Sequence, residues 1–179
     1  MAWTFSDEIH ALTGYDADST STSSSGETFV VHTNQWLVDG AKEVINNLPT
    51  SLYEKCSGKS SSITDGDGLN LGTSTTIGKI LYVTKLDSNN RERPCRLLSG
   101  AYGDLADDST ATNYYAVADD PAYFVRDNTV FVKPNPTGSS DAGYVYHIVY
   151  PTISNFDGSN APNASASIKD FPDEAEHLV

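Results

Sequence analysis

The spacing of apolar and polar residues changes along this chain, and the changes mark out its elements. The clearest helical pattern follows Thr33, a residue suited to cap a helix N-terminus. Trp36, Leu37, Gly40, Ala41, Val44, Ile45 and Leu48 recur on one helical face, with Asp39, Lys42, Glu43, Asn46 and Asn47 opposite. Pro49 lacks an N–H and disfavours helical geometry at Leu48, so the helix is expected to stop or kink there. A second short helix is expected over 50–55, continuing through Cys56 and closed by Gly58. Upstream, Phe5, Ile9 and Leu12 fit one face of a short helix with Ser6 as its cap, and 28–32 reads as a short extended run.

Beyond residue 57 the period falls towards two. Residues 57–78 mix turn-formers with isolated Ile63, Leu69 and Leu71, which reads as short strands joined by Asp-Gly turns. Residues 77–86 form a stronger strand, 87–90 a turn, and 93–98 a second arm, together a hairpin. An acidic loop is expected over 100–113. Four more strands follow at 114–117, 123–125, 129–132 and 144–150, divided by Asp119-Asp120-Pro121, Asp127-Asn128 and the stretch 134–143. In the last of them Tyr144, Tyr146, Ile148 and Tyr150 alternate with Val145, His147 and Val149, so both faces are apolar enough to be covered. After a polar loop, Phe171 and Pro172 open a helix with Asp173, Glu174 and Glu176 in its first turns. So short a helix is marginal in water, and the natural chain is expected to continue past Val179.

The pattern predicts an α+β fold in one domain over 1–179. Its parts are a flexible Ser/Thr-rich arm at 14–27, a helical part at 28–58, a β-rich part at 59–153 and the start of a C-terminal helix at 168–179. Composition narrows the function. With 24 Asp and Glu against 11 Lys and Arg the formal charge is −13, which argues against phosphate-backbone binding and anionic membranes. No apolar run approaches the roughly 20 residues a membrane helix needs, and the start lacks a cationic then apolar leader. The polar excess is uncharged, 21 Ser and 17 Thr, and falls mainly in the expected loops.

Candidate chemistry is sparse. Cys56 and Cys95 lack zinc or redox spacing and read as reduced, packed thiols. His10, His32, His147 and His177 lie in different elements without i,i+4 pairing. Asp65-Gly66-Asp67-Gly68 has the opening of a calcium loop but lacks its third ligand and closing Glu, so a hairpin turn is preferred. Asp104, Asp107, Asp108, Asp119 and Asp120 read as a solvated acidic run, with cation coordination the weaker alternative. No nucleophile elbow, zinc-protease helix or phosphate loop occurs, which predicts a protein without catalytic, cofactor or metal residues. Asn163-Ala164-Ser165 matches a glycosylation acceptor that, without a secretory leader, carries little weight. Tyr114-Tyr115 and Tyr144/Tyr146/Tyr150 are candidates for a sugar-binding face, although strand tyrosines more often pack a sheet with the hydroxyl in water.

Taken in order, several segments resemble the head-to-tail connector (adaptor) proteins of tailed bacteriophages, of the marine and cyanophage type. They are TNQWLVDGAKEVINNLP with its following short helix, IGKILYVTKL, DDPAYFVRDNTVFVKPNPT, YVYHIVYP and FPDEAEHLV, over about residues 28–179. The resemblance implies helices from both chain ends packed together, a sandwich-like or barrel-like β-rich insertion between them, and a ring, usually of twelve subunits. It further implies a structural, non-enzymatic role in the virion neck, assembled in the host cytoplasm. The ring's partners would be a portal protein above and tail, nozzle or neck proteins below. The short C-terminal helix and the Ser/Thr-rich arm depart from the family's pattern.

A ring subunit needs apolar lateral surfaces, for which Trp36, Tyr123, Phe124, Phe171 and Leu178 are the candidates, with a core position the favoured alternative for Trp36. The negative charge suits a lumen that passes DNA without holding it, and neither specific nucleic-acid binding nor membrane association is expected. Two other readings remain: a neck or tail-completion protein such as a tail terminator, often hexameric, and a carbohydrate-binding β-sandwich of a virion fibre. The amphipathic helix weighs against the sandwich, and a hydrolase ranks last.

Overall fold

The computed structural model describes residues 10–12, 14, 29–73, 76–152, 171, 172, 175, 178 and 179; for 29–34 and 73 only the backbone is described. The fold is mixed α+β with two four-stranded sheets. The chain divides into two compact units, Met1–Ser57 with Val149–Val179, and Gly58–Ile148. The expected arm at 14–27 lies almost wholly outside the described residues, as does most of the stretch 168–179 where a C-terminal helix is expected.

The first unit is organised on the helix α1, Phe29–Asn47. It begins before Thr33, so the run expected to be extended at 28–32 is helical from Phe29 onward. Helical propagation adds one hydrogen bond for each residue ordered, which lets a helix extend through Val and His that by themselves favour strands. The helix stops where Pro49 requires, with a last i,i+3 bond of 3.2 Å from Leu48 N–H to the Ile45 carbonyl. The apolar arc is only half used by the core. Leu37, Val38, Ala41 and Ile45 are buried, whereas the adjoining row Trp36, Gly40, Val44, Leu48 is partly or largely open. The following 3-10 segment, Thr50–Cys56, ends at Ser57 rather than at Gly58, because the chain turns directly into a strand. Upstream, 10–12 are helical, and Gly14 at φ 73° donates its N–H to the His10 carbonyl at 2.8 Å. Near the C-terminus Phe171, Pro172 and Ala175 are buried, with an i,i+3 bond of 2.9 Å from Ala175 N–H to Pro172. Tyr150 donates its hydroxyl to Asn46 Oδ1 at 2.8 Å.

The second unit is a sandwich. Its strands are β1 Ser57–Lys59, β2 Leu69–Asn70, β3 Ile77–Leu86, β4 Glu92–Pro94, β5 Arg96–Leu97, β6 Ala122–Arg126, β7 Thr129–Lys133 and β8 Gly143–Val149. They form one sheet in the order β1-β8-β3-β4 and another in the order β2-β7-β6-β5. Between them lies a core of Ile63, Val83, Val130, Val132 and Val145, with Leu69, Leu71, Ile80, Cys95 and Tyr123 packed against it. The fully buried Val83, Val130 and Val145 each contribute roughly 1.5–3 kcal/mol relative to exposure. Spacing is tight: a Cβ on Gly143 would stand 2.9 Å from Val132 Cγ2.

Two turns set the registers. Asp127 and Asn128 both take positive φ, 50° and 58°, the two-residue hairpin geometry that matches strand twist, and β6 pairs antiparallel with β7. In the β3–β4 turn Asp87 Oδ1 accepts the N–H groups of Asn89 and Arg91 at 2.8 and 2.9 Å. The second arm of that hairpin is not one strand. Cys95 N–H still bonds to Val83 in the first sheet at 2.8 Å, and Arg96 N–H already bonds to Pro121, starting a parallel pairing of β5 with β6 in the second. The expected strand at 114–117 is absent apart from a bridge between Val117 and Asp120, because the loop's carbonyls are taken by Arg96. The acidic loop contains a 3-10 segment, Gly100–Asp107.

Candidate functional site: an aromatic sheet face and a groove on the long helix

Alternate positions of β8 and β3 put Tyr144, Tyr146, Tyr82 and Thr84 on the face of the first sheet turned away from Val83 and Val145, with Lys59 and Glu92 from β1 and β4. The rings of Tyr82 and Tyr146 stack at 4.5 Å and 20°. Lys59 Nζ stands 3.7 Å above the Tyr144 ring and donates to Glu92 Oε1 at 2.6 Å. Glu92 Oε2 accepts from Thr84 Oγ1 at 2.8 Å and from the Tyr146 hydroxyl at 2.9 Å.

These contacts set the charges. The bond to Glu92 raises the Lys59 ammonium above its ordinary value. Burial pushes Glu92 up, but the donors Lys59, Thr84 and Tyr146 outweigh it and hold the carboxyl below its usual range. Burial, then the neighbouring carboxylate, raises Tyr146. The face therefore stays ionised as a pair at neutral pH. It is largely self-satisfied: Glu92 meets three donors and one ring face of Tyr144 is covered by an ammonium, a geometry that braces a sheet more than it offers a sugar platform. Tyr144 and Tyr146 were legible as candidates from their spacing. Lys59, Tyr82 and Glu92 were not, because only the pairing of β1, β8, β3 and β4 brings them together.

Three carboxylates of the acidic run anchor it to the second sheet. Asp104, Asp107 and Asp120 pair with Arg126, Lys133 and Arg96, all from the second sheet. Arg96 also donates to the carbonyls of Asn113, Tyr114 and Tyr115, and Arg126 to Gly100 at 2.7 Å. Asp108 accepts the hydroxyl and N–H of Thr110, which lowers its pKa. Asp65 closes its turn by accepting Asp67 N–H at 3.0 Å, and Gly68 at φ 76° has no room for a Cβ, which would stand 2.5 Å from the Val130 carbonyl. Among the described residues no group of three or more His, Cys, Asp or Glu gathers as a metal site, and no helix is long and apolar enough to cross a membrane. Cys56 is buried and Cys95 half-buried; they are thiols, not a disulfide, and burial pushes Cys95 up to about 12. His147 is buried, its Nδ1 3.0 Å from the Ile148 carbonyl oxygen.

No family model matches the chain, and no curated protein matches it.

The five candidate interface residues separate by burial. Trp36 and Leu178 are 61 % and 59 % exposed, which places Trp36 outside the core position favoured for it. Tyr123 is half-buried against the sandwich core. Phe124 and Phe171 are buried within the chain. Phe124 stacks on Phe131 at 5.1 Å beneath Gly103, because the other face of its sheet is covered, which the alternation along β6 does not reveal.

A groove of about 560 Å³ runs along α1 in the first unit, lined by Gly40, Glu43, Val44, Asn47, Leu48, Pro49, Leu178 and Val179. Val179 reaches Gly40, where a Cβ would stand 3.5 Å from its oxygen. Gly40, Val44 and Leu48 continue the row begun by the exposed Trp36, so the half of the helix arc that the core leaves unused becomes a groove wall.

Proposed function

We propose that this chain is a structural, ring-forming adaptor of a phage neck, placed between portal and tail in the virion and lining the passage for DNA. One observation carries the reading: segments from both chain ends, Met1–Ser57 and Val149–Val179, cluster in one unit with α1, while the intervening Gly58–Ile148 forms a separate β-sandwich. That is the organisation the connector resemblance implies, a β-rich insertion between terminal segments. The exposed Trp36 and Leu178 supply apolar surface of the kind subunit contacts use. The −13 charge suits a wall that does not grip a duplex. The role calls for no catalytic group.

The test is native mass spectrometry and electron microscopy of the full chain, alone and with isolated portal rings. The expected result is a ring of about twelve copies, self-assembled or templated on the portal. A chain that stays monomeric and ignores portal rings overturns the proposal, and a hexamer transfers it to the tail-terminator class.

A further inference from the structure

The lattice on the outer face of the first sheet has the chemistry of a binding site as well as of a brace. Lys59 belongs to β1 and Glu92 to β4, the two edges of that sheet, so the lysine stem crosses over β8 and β3 to reach its carboxylate. Its ammonium ends among three groups that attract a cation: the Tyr144 ring with its centroid 3.7 Å away, the Tyr146 ring at 5.7 Å and Glu92 Oε1 at 2.6 Å. Two of those walls are fixed by contacts that do not involve the lysine. Glu92 is held through Oε2 by Thr84 Oγ1 and the Tyr146 hydroxyl, and Tyr146 is itself stacked on Tyr82. The Lys59 side chain, by contrast, comes from an edge strand and is 39 % exposed.

We infer that Tyr144, Tyr146 and Glu92 form a binding site for a primary alkylammonium ion, closed in cis by the chain's own Lys59. With the lysine stem gone, Glu92 Oε1 and one face of Tyr144 lose their partner while Thr84 and Tyr82 keep the site in shape. A primary ammonium fits because it lays a compact charge against a ring and still donates an N–H to Glu92; a quaternary ammonium has no proton to donate. Lys59 then acts as a built-in competitor. A free ligand enters only the fraction of molecules in which Lys59 has swung into water, and its apparent affinity falls by that fraction. The inference rests on contacts within the β-rich unit and is independent of ring assembly.

Lys59→Ala removes everything beyond Cβ, and n-propylammonium supplies the same atoms. Proton NMR titration of the full chain with the chlorides of propylammonium, tetramethylammonium and sodium, at equal ionic strength, tests the site. Lys59→Ala is expected to bind propylammonium at least about tenfold tighter than the native chain does, the ligand methylene signals moving upfield over the Tyr144 ring. Tetramethylammonium should bind that variant at least about threefold more weakly than propylammonium. Adding Tyr144→Leu should weaken propylammonium about two- to fivefold, and adding Glu92→Gln at least as much. Equal affinity in the native and Lys59→Ala chains, or an affinity that Glu92→Gln leaves unchanged, overturns the inference. If Lys59→Ala does not fold, the native chain decides: excess propylammonium, but not sodium, is expected to move the Lys59 ε-methylene signal to that of a solvated lysine. A Lys59 signal insensitive to propylammonium overturns the inference equally.

Discussion

The two sheets share one core through their inner faces and differ in what becomes of their outer faces. The outer face of β6 and β7 is covered by its own chain: Leu98, Ala106, Ala116, Ala122 and Phe124 form a second buried cluster, closed by the Gly100–Asp107 segment. Three cations, Arg96, Arg126 and Lys133, hold that cover down through Asp120, Asp104 and Asp107. The outer face of β3 and β8 has instead a polar lattice of tyrosines around Lys59 and Glu92, with Tyr82 still 45 % exposed. A covered face needs an insertion of its own and gains apolar burial. A face bound by a lattice keeps its side chains ordered yet remains reachable.

The largest expected effect breaks the covered face. Phe124→Ala removes the ring under Gly103 and should destabilise the β-rich unit by about 3–5 kcal/mol, read as a lowered urea midpoint. Arg96→Met should cost less, about 1–3 kcal/mol, because it strips charged donors from the carbonyls of Tyr114 and Tyr115 but leaves the ring in place. Hydrogen exchange should then rise across 111–120 before it rises in β6; uniform exchange would show that Arg96 is not the anchor.

The smallest effect sharpens the comparison through pH. Burial pushes Asp141 up, but the Thr137 N–H and the Lys85 ammonium outweigh it, and Asp141 lies below its ordinary 3.8. Asp87 is lowered by the N–H of Arg91, and Glu92 is lowered by its three donors. A depressed carboxyl lends stability above its unfolded value, and that stability is lost as pH falls through the folded value. The sandwich should therefore weaken progressively below about pH 4. Glu92→Gln should flatten that acid response at a cost near neutral pH of only about 1 kcal/mol, since the pair is partly exposed. Thermal melts between pH 2 and 7, about that range, check both statements.

Much of the architecture was legible in the chain. The strand Ile77–Leu86 follows from a β-favouring run centred on Ile80, Leu81, Tyr82 and Val83, the end of α1 from Pro49, and the β6–β7 turn from two residues that tolerate positive φ. Each is decided by neighbours in sequence. The start of α1 at Phe29 was not legible, because local propensity at 29–32 opposes a helix that extension from the rest of α1 sustains. The strand expected at 114–117 failed because Arg96, some twenty residues earlier, claims its carbonyls.

The same division holds for the candidate surfaces. By itself the sequence determined the excess of carboxylates, the absence of any recognised catalytic motif and the breadth of the apolar arc on α1, since these depend only on which residues are present and at what spacing. Only the tertiary structure decided which half of that arc is buried, that Asp104, Asp107 and Asp120 of the acidic run pair with cations of the second sheet, and that Lys59, Tyr82, Glu92 and Tyr146 meet. The reason is physical: β8 inserts between β1 and β3, and Cys95 passes the chain from one sheet to the other, so these contacts join residues tens of positions apart. Such pairings depend on loop closure and on competition for the same hydrogen-bonding groups, and no periodicity encodes either.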